Sequence, residues 1–223
     1  MEPLVISLGG SVLVKEELDV GFLREFQRLI LRQARKRKVF ICVGGGSTAR
    51  RYQKALERFG SGAEARDWIG IHATRLNAHL LRLSFGKDAD KKIVEHPKRP
   101  HATSKRIVIA AGWKPGWSTD YDSVLLASSV GSGTVVNLTN VDYIYDRNPH
   151  EHADAKPLHR LSWVEYKRII GGKWAPGLHT PFDPIAAREA EKAKMTVVIM
   201  DGTDQKNFRD YLDGKKFNGT VIG

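Results

Sequence analysis

Glycines follow three short apolar runs of this chain, at the points where each run gives way to a helix-like segment. The three glycine segments are residues 9–11, 44–48 and 112–120. Glycine lets the backbone approach a ligand closely, and the free N–H groups and positive dipole of a helix N-terminus attract an anion. The repetition of this pattern therefore predicts an α/β protein that handles phosphate groups.

Two aspartates and an arginine beside these segments could serve phosphoryl transfer. Asp120 and Asp183 could help to neutralise charge through Mg²⁺, since this chemistry needs electrostatic stabilisation more than covalent catalysis. Arg50, on the first turn of the helix after the triple glycine, could hold a phosphate with two hydrogen bonds. Ser47 or Thr48 is expected to cap that helix. Each aspartate has a structural alternative, because each stands at the start of a predicted helix, and Asp183 precedes a proline as a natural N-cap does.

Several common signatures are missing from the sequence. Neither Walker A nor the dinucleotide G-x-G-x-x-G occurs. The eight histidines show no metal-ligand spacing, and there is no nucleophile elbow of the G-x-S-x-G kind. The absence of these patterns argues against P-loop, Rossmann, hydrolase and metalloenzyme functions. We therefore assign no residue as a metal ligand.

Length and composition favour one domain over residues 1–223. No Pro/Gly/Ser-rich linker and no 20–50-residue repeat divides the chain, and the charged stretch 86–105 is expected to be a surface excursion. Cys42 lies in an apolar run and is expected to be a buried thiol in a reducing compartment. No run approaches the ~18 apolar residues of a membrane span, so we expect a soluble, cytoplasmic protein without membrane partners.

Basic residues exceed acidic ones, with 36 Lys and Arg against 25 Asp and Glu and a formal charge of +11. This balance favours nucleotides, phosphometabolites or nucleic acid as partners. The cluster at residues 35–38 closes a predicted amphipathic helix, where cations complement the dipole and face water. The cluster at residues 98–106 could touch RNA or stay solvated. Because no RNP-like aromatic pattern, zinc knuckle or helix-turn-helix spacing occurs, nucleic acid is not an expected partner.

The hydrophobic pattern predicts alternating strands and helices. Strands are expected near residues 4–8, 39–43, 107–111, 134–138 and 196–200, and helices near 19–36, 48–59, 63–84, 121–129, 162–170 and 185–194. This alternation implies right-handed crossovers and a mostly parallel sheet, covered on both faces, with ligands at the carboxyl ends of the strands. All three glycine segments fall at such ends, so we expect them to share one edge of the sheet.

Six segments, in order along the chain, resemble the motifs of the amino acid kinase superfamily, specifically of uridylate (UMP) kinases of the archaeal type. They are residues 8–13, 43–52, 67–78, 115–120, 139–145 and 182–187. The resemblance implies a three-layer α/β/α sandwich on a mostly parallel eight-stranded sheet. It also implies transfer of the ATP γ-phosphoryl group to UMP with Mg²⁺, and a homohexamer.

The resemblance further implies roles for individual residues. Those expected to face the ATP phosphates and the transferred group are Gly10, Ser11, Gly46 and Arg50. Those expected to line the ATP nucleoside pocket are Thr139, Asn140, Tyr145 and Asn148. Those expected to meet UMP are Gly45, Asp67 at the ribose, and the loop Trp113, Lys114, Pro115, Gly116, Trp117, Ser118 and Thr119. Asp120 and Asp183 would organise metal, lysine or backbone groups around the transferred phosphoryl.

The chain departs from the superfamily pattern at several of these positions. Many members carry a lysine just before the first glycine pair, where it clamps the γ-phosphoryl group, but this chain has Ser7 there. Lys114 and Lys173 are the candidates to replace that cation. Trp113-Lys114 replaces the usual Gly-Thr, Asn148 replaces a usual aspartate, and the excursion at 86–105 is shorter than its counterpart.

Three interpretations therefore stay open. The first is a UMP kinase. The second is a kinase of the same superfamily that acts on another phosphorylated small molecule. The third is a nucleotide-binding module without turnover, serving as a regulatory or RNA-associated subunit, which Ser7 and the high positive charge suggest.

Overall fold

Strands and helices alternate through a computed structural model that describes residues 1–14, 17–149, 151–170 and 180–223. The strands are β1 (Leu4–Leu8), β2 (Val39–Val43), β3 (Ile107–Ala110), β4 (Thr134–Thr139), β5 (Ile144–Tyr145), β6 (Pro157–Leu158), β7 (Arg160–Leu161), β8 (Thr196–Asp201) and β9 (Thr220–Ile222). The helices are α1 (Gly10–Leu13), α2 (Val20–Ala34), α3 (Gly46–Arg58), α4 (Ala63–Phe85), α5 (Thr119–Val130), α6 (Trp163–Ile170), α7 (Pro184–Lys192) and α8 (Gln205–Leu212). The candidate cation Lys173 lies outside the described residues.

The central sheet has the strand order β3-β2-β1-β4-β8-β9-β7. Its strands run parallel except where β9 meets β8. The five predicted strands are β1, β2, β3, β4 and β8, which are adjacent and parallel in this sheet. The predicted mostly parallel α/β sandwich is confirmed. Among the described residues, the central sheet contains seven strands rather than the eight expected, because β5 and β6 pair with each other as a separate antiparallel ribbon.

Two apolar layers cover the sheet because its strand residues alternate between the two faces. Leu4, Ile6 and Leu8 of β1 pack with α2, α4 and α8. Val5 packs on the opposite face, with α5, α6 and α7. Buried on both sides, the central strands are near-continuous apolar runs, as parallel sheets require. Ser7 shares the register of Val5, so it lies on the face where α5 and α7 begin.

Local signals account for the main helices. Asp19 caps α2 by accepting a hydrogen bond from the Phe22 N–H at 2.9 Å. The predicted apolar face of α2 is buried, and its Phe26 ring stacks on Phe208 of α8 at 6.1 Å between centroids. Cys42 is a buried free thiol in β2, as predicted. No described helix is both long and apolar enough to cross a bilayer.

The stretch 86–105 is only partly the surface excursion that its composition predicts. Ala89 and Val94 are buried, and they form parallel bridges with Ile107 and Ala110. This segment therefore runs beside β3, where it covers an edge that would otherwise expose unpaired backbone groups. The charged residues of the stretch are exposed, except for the buried Asp90.

Candidate active site

The loops after β1 and β2 pack against each other, backbone to backbone. A Cβ added to Gly10 would clash with the Gly46 amide nitrogen and lie 2.6 Å from the Gly46 Cα, and one added to Gly44 would lie 2.5 Å from the Gly10 nitrogen. Gly46 also has φ +62°, a conformation that side chains disfavour. Only glycine fits this junction, so two of the three glycine segments form one continuous backbone surface.

Helix α4 ties the second and third glycine segments together. The buried Asn77 amide donates to the Gly44 carbonyl oxygen at 2.8 Å and to the Gly45 carbonyl oxygen at 3.2 Å. One turn earlier, the Thr74 hydroxyl accepts a hydrogen bond from the Gly112 N–H at 2.8 Å. These two side chains satisfy backbone groups that would otherwise be buried without partners. The expected shared edge of the sheet is confirmed.

Asp67 extends this polar stripe of α4 toward the third loop. Asp67, Thr74 and Asn77 are spaced by seven and three residues, so they lie on one helix face. The Asp67 carboxylate accepts a hydrogen bond from the Gly116 N–H at 2.8 Å. Gly116 has φ +84°, which a residue with a side chain would rarely adopt. The loop predicted to meet the acceptor is thus held by the residue predicted to meet its ribose.

The N-terminus of α3 lies at the centre of this arrangement. Gly45 is its N-cap residue and supplies no side-chain hydrogen bond, so the expected cap by Ser47 or Thr48 was wrong. The Ser47 hydroxyl is buried and has no hydrogen-bond partner in the described part of the chain. A helix N-terminus without a capping side chain attracts an anion. Arg50 is exposed, and it lies on the second turn of α3 instead of the expected first turn, because α3 begins at Gly46.

Four side chains connect β1 with the starts of α5 and α7. The Ser7 hydroxyl donates to Asp120 at 2.9 Å, and the Asp183 N–H donates to the same carboxyl group at 3.2 Å. The Ser118 hydroxyl donates to the Asp183 carboxylate, which also accepts from the Ile185 N–H at 2.6 Å. Asp183 is therefore the N-cap of α7, as the structural alternative required. It also contacts, through Ser118, the loop of residues 113–119 that is predicted to meet the acceptor and is called the acceptor loop below. Its capping role therefore leaves the predicted catalytic role open.

Burial, aided by the charge of neighbouring Asp183, raises the pKa of Asp120 to about 6, although hydrogen bonds from Ser7 and the Asp183 N–H oppose the increase. No lysine or arginine of the described residues forms an ion pair with either aspartate. Where many superfamily members have a lysine, Ser7 therefore gives Asp120 a neutral hydrogen-bond donor. The negative charge of the two carboxyl groups is therefore not neutralised by any lysine or arginine of the described residues.

Two buried polar residues that the sequence did not single out hold Asp183 in place. The Tyr166 hydroxyl donates to the Phe182 carbonyl oxygen at 2.5 Å and accepts from the Phe182 N–H at 3.1 Å. The Asn137 amide donates to the Pro181 carbonyl oxygen at 2.9 Å. Neither residue adjoins a glycine loop, so the glycine pattern did not mark them. An asparagine inside an otherwise apolar strand was the one available hint.

Asp122 is a third positioning residue that sequence analysis missed. One of its carboxyl oxygens accepts from the Trp113 N–H at 3.0 Å, and the other is buried without a partner among the described residues. Burial raises the pKa of Asp122 to about 7; the Trp113 N–H opposes this increase, and the Asp120 charge adds to it. Asp122 thus ties the start of the acceptor loop to α5.

Aromatic rings surround the acceptor loop. Trp113 packs on His96 with 4.6 Å between ring centroids, and Trp117 stacks on Tyr121 at 4.3 Å. The Lys114 ammonium lies 4.3 Å from the Trp113 ring centroid and 5.7 Å from that of Trp117. A cation over an indole face is electrostatically favourable. Lys114 is therefore held by the two indoles and not by the Asp120–Asp183 pair.

The residues expected at the ATP nucleoside lie along the carboxyl end of β4 and the ribbon that follows. The Thr139 carbonyl oxygen accepts from the Gly202 N–H at 2.8 Å, and its hydroxyl donates to Asn140 at 3.3 Å. Tyr145 is in β5, and its hydroxyl donates to the carboxylate of Asp142 at 3.1 Å. The Asn148 amide donates to Glu151 at 2.7 Å. These four candidate residues therefore follow one strand end, next to the Gly9–Gly10 turn.

Comparison with known proteins gives consistent matches over the whole chain. The model of the amino acid kinase family matches residues 2–201. The uridylate kinase of Methanoregula boonei is 36% identical over 100% of this chain and 96% of its own length, and that of Archaeoglobus fulgidus is 36% identical over 98% and 99%. The crystal structure of the Archaeoglobus fulgidus enzyme covers 100% of both chains with a TM-score of 0.86 and 34% identity. UMP kinase from Ureaplasma parvum, 17% identical with a TM-score of 0.80 over 100% of this chain and 98% of its own, shares the fold.

Asp122 predicts a distinctive pH dependence of stability. Because its pKa of about 7 in the folded chain lies above the ~3.9 of an unfolded aspartate, folding favours the protonated form. This stabilisation is complete below the unfolded pKa and is lost as the pH rises through the folded one. In Asp122→Asn the amide oxygen still accepts from Trp113, but nothing ionises.

Urea unfolding of wild type and Asp122→Asn at about pH 5 and about pH 8 tests this account. The free energy of unfolding of the variant, relative to wild type, should increase by on the order of 2 kcal/mol between the two pH values. A difference that stays constant over this range would contradict the assignment.

Proposed function

The chain belongs to the amino acid kinase family, and we propose that it is a nucleoside monophosphate kinase that converts UMP and ATP to UDP and ADP. The observation that carries the proposal is the convergence of three glycine loops: one face of α4 holds the second and third, and the first packs against the second at Gly10 and Gly46. Relatives named uridylate kinase match it over nearly their full length, which supports UMP as the acceptor.

The donor would bind across the Gly10–Gly46 junction. Gly10, Ser11 and Gly46 would present N–H groups to the ATP phosphates, and exposed Arg50 would reach the transferred group from α3. The buried Ser47 hydroxyl, which has no partner among the residues that the structure describes, supports an anion at this helix start. The nucleoside would extend along the residues that follow β4, namely Thr139, Asn140, Tyr145 and Asn148.

The acceptor would bind on the other side of α3. Gly45 and Asp67 would meet UMP at the α4 stripe, and the loop of residues 113–119 would enclose its base and phosphate. The two nucleotides would then lie with their phosphates facing each other over the start of α3. Catalysis in this geometry consists of positioning and electrostatic stabilisation of an in-line transfer.

Magnesium would accompany ATP in this proposal. Among the described residues, no group of three or more His, Cys, Asp or Glu side chains could form a metal cage. Mg²⁺ commonly binds through one or two carboxylates together with substrate phosphates. The carboxyl groups of Asp120 and Asp183, which form no ion pair with a lysine or arginine of the described residues, fit that pattern. When bound, the ion would neutralise charge on the transferring phosphoryl group.

We also propose that the chain is a homo-oligomer, and specifically a homohexamer. One outer face of α4 exposes Trp68, Leu76 and Leu83, with His72 packed beside Trp68 at 6.2 Å between ring centroids. Their spacing of eight and seven residues places them on one stripe of the helix. An exposed apolar stripe of this kind supports contact with a second copy.

An acceptor panel tests the function. ADP release in a coupled assay should be fastest with UMP when UMP, CMP, AMP, isopentenyl phosphate and acetylglutamate are compared at equal concentration. Faster turnover with a different acceptor would contradict UMP specificity and leave a kinase of the same family. ATP binding without turnover on any acceptor would contradict the kinase proposal and favour a nucleotide-binding module.

Asp183→Asn separates the catalytic role of this residue from its capping role. Asparagine caps helices about as well as aspartate, so the melting temperature should change by less than about 4 °C. Loss of the negative charge should lower kcat by about 100-fold or more.

The matched control is Asp204→Asn, the same substitution at the N-cap of α8, where Asp204 accepts from the Asn207 N–H at 2.9 Å. It should leave kcat unchanged. If Asp183→Asn lowers the melting temperature but retains turnover, Asp183 acts only as a helix cap.

A further inference from the structure

Two basic clusters joined by contacts that span 65 to 72 residues of sequence lie together in the structure. The Arg106 guanidinium donates to the carbonyl oxygens of Ala34 and Arg35 at 3.4 and 3.3 Å. The Lys38 ammonium donates to the Thr103 carbonyl oxygen at 2.8 Å. The end of α2 and the stretch before β3 thus share one surface at the edge of the sheet.

Lys87 joins this surface through Lys105, whose ammonium donates to the Lys87 carbonyl oxygen at 2.6 Å. We call the resulting cationic surface the basic edge. Its members are Arg35, Lys36, Arg37, Lys38, Lys87, Lys105 and Arg106. Five of them are exposed, and Arg37 and Lys38 are half-buried. In the described part of the chain, none of the seven forms an ion pair with a carboxylate.

The basic edge and its flanking loop hold most of the net charge of the chain. Residues 35–38 and 86–106 contain eleven Lys or Arg and three Asp or Glu, a formal charge of +8 against +11 for all 223 residues. Of the three acids, Asp90 is buried and faces His101 at 3.3 Å, and Glu95 pairs with Arg75 at 2.9 Å. The positive field is therefore concentrated, and Asp88 is the acid left to oppose it.

This surface does not serve the nucleotide site. Residues 35–38 and 105–106 precede β2 and β3, whereas the glycine loops follow the carboxyl ends of these strands. Strands of four and five residues separate the two ends by roughly 15 Å. Helix-dipole compensation explains the cations of α2 but not Lys87, Lys105 and Arg106, which come from other segments.

The types of side chain exposed on the basic edge indicate which class of partner it can bind. None of the large hydrophobic side chains that the described chain exposes lies at residues 35–38 or 86–106. A surface that inserts into lipid needs such side chains, and a single-strand platform needs exposed aromatic rings. Closely spaced cations without either feature match a row of phosphodiesters. We propose that the basic edge binds the phosphate backbone of double-stranded nucleic acid, without sequence preference.

Fluorescence anisotropy of the full chain with a labelled duplex of about 30 base pairs tests this proposal, with ATP and UMP in excess to fill the nucleotide site. We expect a log–log slope of affinity against salt of about −4.5, since each of about five phosphate contacts contributes about −0.9. A second duplex of unrelated sequence should bind equally well.

Matched triple variants locate the site. Arg35→Gln/Lys36→Gln/Lys87→Gln should reduce affinity about tenfold or more and make the salt slope shallower by about 2 to 3. The control Arg24→Gln/Lys54→Gln/Arg168→Gln removes the same charge from exposed positions elsewhere, and affinity should fall less than about threefold. Both variants should keep the circular dichroism spectrum and kinase turnover of wild type.

Two outcomes would overturn the proposal. The first is an equal loss of affinity in both triple variants, which would show a response to net charge alone. The second is no salt-dependent binding of the duplex at about 50 mM salt, with or without binding to phosphatidylserine vesicles. Neither outcome bears on the acceptor panel, so the kinase proposal stands or falls separately.

Discussion

Contact between two backbones, at Gly10 and Gly46, is the constraint on which the proposed site depends. Any side chain at Gly10 would separate the loops that follow β1 and β2. With no side chain between them, both loops can direct N–H groups toward the same space at the start of α3. The polar stripe of α4 then fixes the third loop relative to the first two through Thr74 and Asp67. The glycines at this contact and the spacing of the polar residues on α4 therefore together bring the three loops to one place.

The electrostatics of this cleft follow from Ser7. A neutral hydroxyl donates to Asp120 in a site where two carboxyl groups approach each other under burial. Burial and the Asp183 charge raise the pKa of Asp120, and no lysine or arginine of the described residues pairs with it to supply positive charge there. The charge must come with the ligands or from residues outside the described part of the chain. Binding of a metal–nucleotide complex and completion of the site are thus coupled in this account.

The sequence predicted the five adjacent parallel strands of the sheet well, because β-branched runs such as residues 39–43 have a clear length and clear ends. It missed β5, β6, β7 and β9, which have two or three residues each and show no periodicity. The glycine loops and Asp183 could be identified as site candidates from local sequence. Tyr166 and Asp122 could not, since each acts through a hydrogen bond to a backbone group distant in sequence. The sequence showed the two basic clusters but not their meeting at the basic edge, which depends on hydrogen bonds to backbone groups distant in sequence.

The most direct test of two facing nucleotide sites is the affinity of a bisubstrate compound, adenosine and uridine joined 5′ to 5′ by five phosphates. Calorimetry should give a dissociation constant about 100-fold or more below that of ATP or UMP alone, because the second half binds intramolecularly. The diadenosine analogue should gain much less. An affinity equal to that of ATP, with UMP still able to bind beside the compound, would contradict the common cleft.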